Sequence, residues 1–217
     1  MSTTSVQPAL TAAERTALGR RAQLLAGASV AYNVLEAIIA VTAGIAAGSV
    51  ALVGFGLDSV VEVSSGLIIL WQFRHRLPET RERQALRLMA LAFFALAVYV
   101  TVESIRDLFF AGGAPSTSPL GIGLAIVSLI VMPVLSWAQR RTGRALGSST
   151  VVADSTQTLL CTYLSAVLLV GLVLNATLGW GWADPVAGLV VAAVAAREGA
   201  EAWRGKGCAC GTAACAS

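Results

Sequence analysis

This sequence contains few charged residues and a single histidine. Only 12% of its 217 residues are charged, against about 25% in a typical soluble globular protein. Hydrophobic residues make up 56% of the chain, and the mean hydropathy is +0.75. This composition excludes a soluble globular domain and predicts an integral membrane protein.

Two functional classes are disfavoured by what is missing. The basic residues are divided among four short segments and form no surface on which basic and aromatic residues alternate, so no nucleic-acid partner is expected. No pairing of a nucleophile with a base is visible, so we do not expect an enzyme. The one histidine, His75, lies among arginines and is most simply a solvated loop residue.

Six apolar stretches are long enough to cross about 30 Å of hydrocarbon. They cover residues 24–46, 50–73, 86–110, 120–137, 146–174 and 184–203. We therefore predict an all-α integral membrane protein, a bundle of six transmembrane helices that occupies residues 23–203. A segment at 1–22 precedes this domain, and a short cysteine-containing tail at 204–217 follows it.

The arginines indicate the orientation. Fourteen of the fifteen basic residues lie before the first span, after the second, after the fourth or around the end of the sixth. By the positive-inside rule this side is the cytoplasm, so both termini are cytoplasmic. We expect a multi-pass protein of a bacterial inner (plasma) membrane. The exception, Arg106, has Glu103 and Asp107 beside it, which predicts a locally paired cluster near the outer end of the third helix.

Two acids interrupt the second apolar stretch. Asp58 and Glu62 are four residues apart and therefore lie on one face of a helix. Each acid costs about 2.5 to 3.5 kcal/mol at mid-bilayer on insertion scales. The two carboxylates repel each other unless a proton or a cation lies between them. We interpret the pair as a cation site.

Other polar residues fall at the same depth as this pair. Counting from the cytoplasmic arginines at about 1.5 Å per residue puts five side chains roughly 18 to 26 Å deep, near mid-bilayer; they are Asp58, Glu62, Gln157, Cys161 and Glu36. Asp154, Gln157, Cys161 and Ser165 also form a polar stripe on the fifth helix. Two polar stripes at one depth predict one shared site.

Several motifs resemble those of the cation diffusion facilitator (cation efflux) family. GSVALVGFGLDSVVE is similar to that family's second helix, with Asp58 and Glu62 at its ligand pair. Asn33, the segment ADSTQTLLC and the segment WADPVAGL match the other landmarks in order. The resemblance implies a homodimeric exporter that exchanges cytoplasmic divalent metal for protons. It also implies a four-ligand site between the second and fifth helices, and no cofactor beyond the transported metal.

Departures from the family pattern bear on the choice of metal. The fifth helix has Gln157 and Cys161 where the family commonly has His or Asp, then Asp. A Cys161 thiolate would favour Zn²⁺, Cd²⁺ or Fe²⁺, and the alternative is a small buried hydrophobic residue. Gln157 offers either a neutral oxygen ligand or an interhelical hydrogen bond. We expect a zinc-like ion, with iron, cadmium, cobalt and manganese left open, and a minimal member of the family without its soluble C-terminal domain.

The remaining candidates have two interpretations each. Asp154 is a metal ligand, or an entrance residue or part of a helix cap. Glu36, with Asn33 one turn away, is a proton acceptor or a partner that orients a ligand, or else a protonated acid in an interhelical hydrogen bond. Cys208, Cys210 and Cys215 are a soft-metal tail or an idle terminus. For the whole protein, the alternatives to export are a membrane metal sensor or buffer and a structural subunit whose acids pair with a partner.

Overall fold

Six α-helices make up the computed structural model, which describes residues 11–74, 79–110 and 115–204. They are α1 (Ala12–Ala47), α2 (Val50–Arg74), α3 (Glu79–Phe110), α4 (Pro119–Leu146), α5 (Ser149–Leu178) and α6 (Ala183–Trp203). The prediction of an all-α chain with six helices is confirmed.

Glycines in the left-handed conformation end three of the helices. Gly48, Gly147 and Gly179 have φ angles of 68°, 69° and 66°, which glycine adopts without strain. The prediction that the fifth span opens at Leu146 is wrong, because α4 continues through Leu146 and ends at Gly147. Ser148 then caps α5 by accepting the N–H of Val151. The sequence does mark this turn, because Gly147 is a residue that ends helices and Ser148 is one that caps them.

A capping box starts α1 well before the apolar stretch. The Thr11 side chain accepts the backbone N–H of Glu14, and the Glu14 carboxylate accepts the N–H of Thr11 at 2.9 Å. This reciprocal cap satisfies backbone donors at the helix start. The helix therefore extends into the segment that we predicted to precede the membrane domain at residue 23.

Four helices form one group and the other two pair beside it. α1 packs against α2 and α4, α4 packs against α5, and α2 contacts α5. α3 packs mainly against α6, and this pair touches α2, while α6 also touches α5. α2 therefore contacts four of the other helices, and side chains on it can be reached from several of them.

Helices α1 and α2 run antiparallel and approach each other closely. A Cβ atom added to Gly44 of α1 would lie 2.8 Å from the backbone nitrogen of Val53 in α2, and one added to Gly66 would lie 2.6 Å from a methyl group of Val30. Early residues of α2 thus meet late residues of α1. Glycine permits this approach because it has no side chain at the interface.

The outer surface of the bundle is apolar. Side chains such as Leu24, Ile45, Phe109 and Ile130 are more than 60% exposed, as expected where lipid replaces water as the solvent. Within the described residues, α1, α4 and residues 154–178 of α5 are long and apolar enough to cross a membrane. The protein is a multi-pass integral membrane protein. That all six helices cross the membrane remains a prediction.

Aromatic and basic side chains mark the two ends of the bundle. At the arginine-rich end, the Arg87 guanidinium lies 5.9 Å from the ring centre of Trp203, and Arg141 lies 5.5 Å from that of Trp137. Trp180 and Trp182 stack in the turn at the opposite end, with ring centres 5.2 Å apart. Tryptophan and arginine favour membrane interfaces. Arg106 and Glu103 form the expected ion pair, at 3.6 Å.

Candidate cation site

Asp58 and Glu62 are both buried on the central helix α2. Each side chain is only 6% exposed, and the i, i+4 spacing places both on one face. Neither forms an ion pair with any Lys or Arg whose side chain the structure describes. Two carboxylates thus share a buried position, and no described basic residue neutralises them.

Glu62 lies beside Asn33 of α1. The Asn33 side chain lies close enough to the Glu62 carboxylate to act on it. Two acceptor atoms nearby have no donor among the described residues, the Oε2 of Glu62 and the Oδ1 of Asn33. A buried polar atom that lacks its hydrogen bond costs about 1 to 3 kcal/mol. A cation or a proton would satisfy both oxygens.

Glu36 connects α1 to three other helices. Its Oε2 accepts the Ser59 hydroxyl of α2 at 2.8 Å and lies 3.9 Å from the Cys161 thiol of α5. Its Oε1 accepts the Ser128 hydroxyl of α4, which in turn lies 2.7 Å from the Tyr32 hydroxyl. These contacts put α1, α2 and α5 at one level, as the count of helix rise predicts.

Asp154 lies one turn nearer the arginine-rich end, against α4. Its Oδ2 accepts the side-chain amide of Gln139 at 2.8 Å, and the residue is 9% exposed. Gln157 is half-buried on the same helix, between Asp154 and Cys161. Asp154 is therefore bonded to α4, and its charge also acts on Glu62.

Negative charge gathers around the α2 pair. Asp58, Glu36 and Asp154 all act electrostatically on Glu62, and the two α2 acids and Glu36 act on Cys161. Within the described parts of the chain, however, no three Asp, Glu, Cys or His side chains converge on a single ion position. Glu198 of α6 also acts electrostatically on Asp58. The arrangement is an anionic, oxygen-rich region that suits cations and protons, and its acids are spread over α1, α2, α5 and α6.

Cys161 itself is almost fully buried, at 1% exposure, and belongs to the hydrophobic core cluster that also contains Leu164 and Leu168. It therefore satisfies the packing interpretation while its thiol still faces Glu36. The tail cysteines Cys208, Cys210 and Cys215 lie outside the described residues.

Sequence reasoning missed the hydroxyl groups around Glu36 and the amide beside Asp154. Ser59, Ser128, Tyr32 and Gln139 gave little signal, because isolated hydroxyl and amide residues in membrane helices commonly serve ordinary packing. The position of Ser59 directly after Asp58 was the one available clue.

Asp184 has a structural role that its place in WADPVAGL did not reveal. It is 1% exposed, accepts the Ser49 hydroxyl at 2.5 Å and accepts the N–H of Ala51 at 3.3 Å. These groups lie at the start of α2, where backbone N–H groups have no partner within the helix. Asp184 of α6 therefore holds the N-terminus of the helix that carries the acid pair.

Comparisons with known proteins agree with this architecture. An uncharacterized transporter of Synechocystis is 25% identical over 153 residues, 66% of this chain and 49% of that protein. Transmembrane protein 163 of Xenopus laevis is 26% identical over 129 residues, 58% of this chain and 46% of that protein. An uncharacterized transporter of Methanocaldococcus jannaschii is 24% identical over 178 residues, 78% of this chain and 62% of that protein.

The chain spans about half the length of the first two of these relatives. The cation efflux transmembrane domain family matches residues 88–204, from early α3 to the end of α6. That match covers more than half of the sequence, and the chain therefore belongs to the cation efflux (cation diffusion facilitator) family of transporters.

Proposed function

We propose that this protein exports a divalent transition-metal ion from the cytoplasm in exchange for protons. The observation that carries the proposal is the buried pair Asp58 and Glu62, which has no basic partner in the described structure and lies on the central helix α2. Family membership supports transport of a cation. We further propose that the protein works as a homodimer in a bacterial plasma membrane.

Proton exchange follows from the charges of the pair. Two buried carboxylates are stable together only when positive charge neutralises them. A divalent ion supplies that charge on the cytoplasmic side, and protons supply it after the ion is released outside. The same two oxygen groups thus alternate between cargo and protons, which couples the two flows.

The proposed ligands come from both α2 and α5. In this proposal Asp58 and Glu62 supply the charge, Cys161, on which both acids act electrostatically, and Gln157 are the ligands from α5, and Asp154 is an additional ligand or an entrance residue. Carboxylates accept Mn²⁺, Fe²⁺, Co²⁺ and Zn²⁺ alike, and a thiol adds preference for Zn²⁺ and Cd²⁺. Zinc is therefore the favoured substrate among these ions.

Metal binding at several pH values tests this proposal. Ligating carboxylates must be deprotonated, so protons compete with the ion and Zn²⁺ affinity should fall as the pH is lowered. We expect purified protein in detergent to show this trend by titration calorimetry, and Asp58→Asn to bind Zn²⁺ far more weakly at every pH. Glu201→Gln is the matched control, because Glu201 pairs with Arg197 away from the site.

The proposal would be wrong if Asp58→Asn bound Zn²⁺ and the other candidate ions as the parent does. Protons compete with the metal for deprotonated ligands. An affinity for these ions that stays constant between about pH 5 and pH 8 would therefore also contradict the proposal.

A further inference from the structure

The interface between α1 and α2 holds two buried oxygens that have no donor among the described residues. Glu62 Oε2 is on α2 and Asn33 Oδ1 is on α1, and the Asn33 side chain lies close enough to the Glu62 carboxylate to act on it. Both residues are more than nine-tenths buried, with exposures of 6% and 2%. Oxygens in this situation require a proton or a cation. A cation bound by both oxygens satisfies them, and so does a proton on Glu62 Oε2 that is donated to Asn33 Oδ1, so the pair can alternate between the two.

Helix α1 also brings a third acid, Glu36, to the region. Glu36 lies one turn from Asn33 and is 1% exposed, and its charge acts on Asp58, Glu62 and Cys161. Hydroxyl groups of Ser59 and Ser128 hold its carboxylate in place. At this level α5 contributes no acid, because the residue facing Glu36 is Cys161, with its thiol 3.9 Å from Oε2.

From these contacts we infer that α1 forms one wall of the cation site. Asn33 supplies a neutral oxygen ligand beside Glu62, and Glu36 supplies a third negative charge that strengthens cation binding without direct coordination. The inference rests on the proposed function in requiring that a divalent cation binds at Glu62. It adds an oxygen-rich side to the site, which favours acceptance of Mn²⁺ together with Zn²⁺.

The role of the Glu36 charge is tested by removing this acid from α1 and then introducing an acid on α5 instead. Glu36→Gln keeps the shape and can still bond to the serine hydroxyls, while Glu36→Gln/Cys161→Asp returns an acid to the position that Glu36 contacts. Residues that support a metal site from outside the ligand set typically change affinity by about 10- to 100-fold. We expect Glu36→Gln to weaken Zn²⁺ and Mn²⁺ binding by about that factor, and the double variant to recover most of the loss.

The ligand role of Asn33 is tested by Asn33→Ala and Asn33→Asp. The alanine variant removes Oδ1 and should weaken binding by about tenfold or more. The aspartate variant keeps an oxygen and adds charge beside Glu62, so it should unfold at a lower temperature without metal and be stabilised by saturating Zn²⁺ more than the parent is. Glu201→Gln serves as the control in every titration, because its side chain is partly exposed and pairs with Arg197.

Each result decides one part of the inference. If Asn33→Ala and Glu36→Gln bind Zn²⁺ and Mn²⁺ like the parent while Asp58→Asn does not, α1 is no part of the site, and the proposed function survives. If Glu36→Gln loses affinity and the double variant does not recover it, the role of Glu36 as a movable charge is wrong. If the parent itself binds neither ion, the inference fails together with the proposed function.

Discussion

At the scale of single residues, the site is a set of oxygens that outnumber their donors. Glu62 Oε2 and Asn33 Oδ1 have no donor among the described residues, whereas Glu36 accepts two serine hydroxyls. The hydroxyl groups keep the Glu36 carboxylate ordered, and in the proposed site the α2 acids would bind the cargo. Metal specificity would then depend on the few side chains that are not carboxylates.

Cys161 is the residue whose change should alter specificity most simply. Cys161→Ser replaces sulfur with oxygen at nearly constant volume in a tightly packed core. If the thiol contacts the ion, Cd²⁺ and Zn²⁺ affinity should fall by about tenfold or more relative to Mn²⁺, because thiolates favour softer ions. Competition calorimetry with the three ions measures this ratio. An unchanged ratio would make Cys161 a packing residue only.

At the scale of helices, the position of α2 depends on α6. Asp184 accepts the Ser49 hydroxyl and the Ala51 N–H, so it completes the N-terminal cap of the helix that carries Asp58 and Glu62. A charged acceptor near a helix N-terminus also interacts favourably with the helix dipole. The acid pair is therefore held at its depth from the end of α2 opposite the arginines.

Asp184→Asn should destabilise the protein by about 1 to 3 kcal/mol, because the amide keeps only one acceptor oxygen and loses the charge that strengthens the bonds from Ser49 and Ala51. Thermal unfolding in detergent measures the loss. Thr177→Ala is the control, since the Thr177 hydroxyl is exposed and bonds to the carbonyl of Val173 in its own helix. Equal unfolding temperatures for Asp184→Asn and the parent would contradict the anchoring role.

Close contact between α1 and α2 is the second helix-scale feature. Gly44→Ala would place a Cβ atom 2.8 Å from the backbone nitrogen of Val53, so the two helices must separate, at a cost of about 1 to 3 kcal/mol. Gly123→Ala is the matched control on α4, because nothing lies within 4 Å of its added Cβ. We expect only Gly44→Ala to lower the unfolding temperature. Similar effects of both substitutions would show that close helix contact is not the cause.

Much of this architecture was predictable from the sequence, for physical reasons that differ between features. The six helices follow from apolar length, and the level shared by Glu36, α2 and Cys161 follows from helix rise counted from the arginines. The break at Gly147 could have been predicted too, since Gly147 and Ser148 repeat the glycine–serine pair that separates α1 from α2 at Gly48 and Ser49. The role of Asp184 was hidden, since its partners are 135 and 133 residues away in the chain.

At the scale of the whole molecule, α2 lies between two groups of helices. It packs with α1 and α5 on the side of Glu36 and Cys161, and with α3 and α6 on the other. Movement of one group against the other would open the acid pair first to the cytoplasm and then to the outside. Such relative movement of helix groups around a central site is a common way to achieve alternating access.

Metal flux into proteoliposomes tests the central claim most directly. Vesicles with an acidic lumen and a metal-sensitive dye inside should take up Zn²⁺ when they contain the parent protein, and the lumen should lose protons at the same time. A protonophore should abolish the uptake. Asp58→Asn, which keeps the size of the side chain and removes its charge, should fold and insert but transport nothing. Zn²⁺ uptake that does not depend on the proton gradient would contradict the account, and so would equal uptake by the parent and Asp58→Asn.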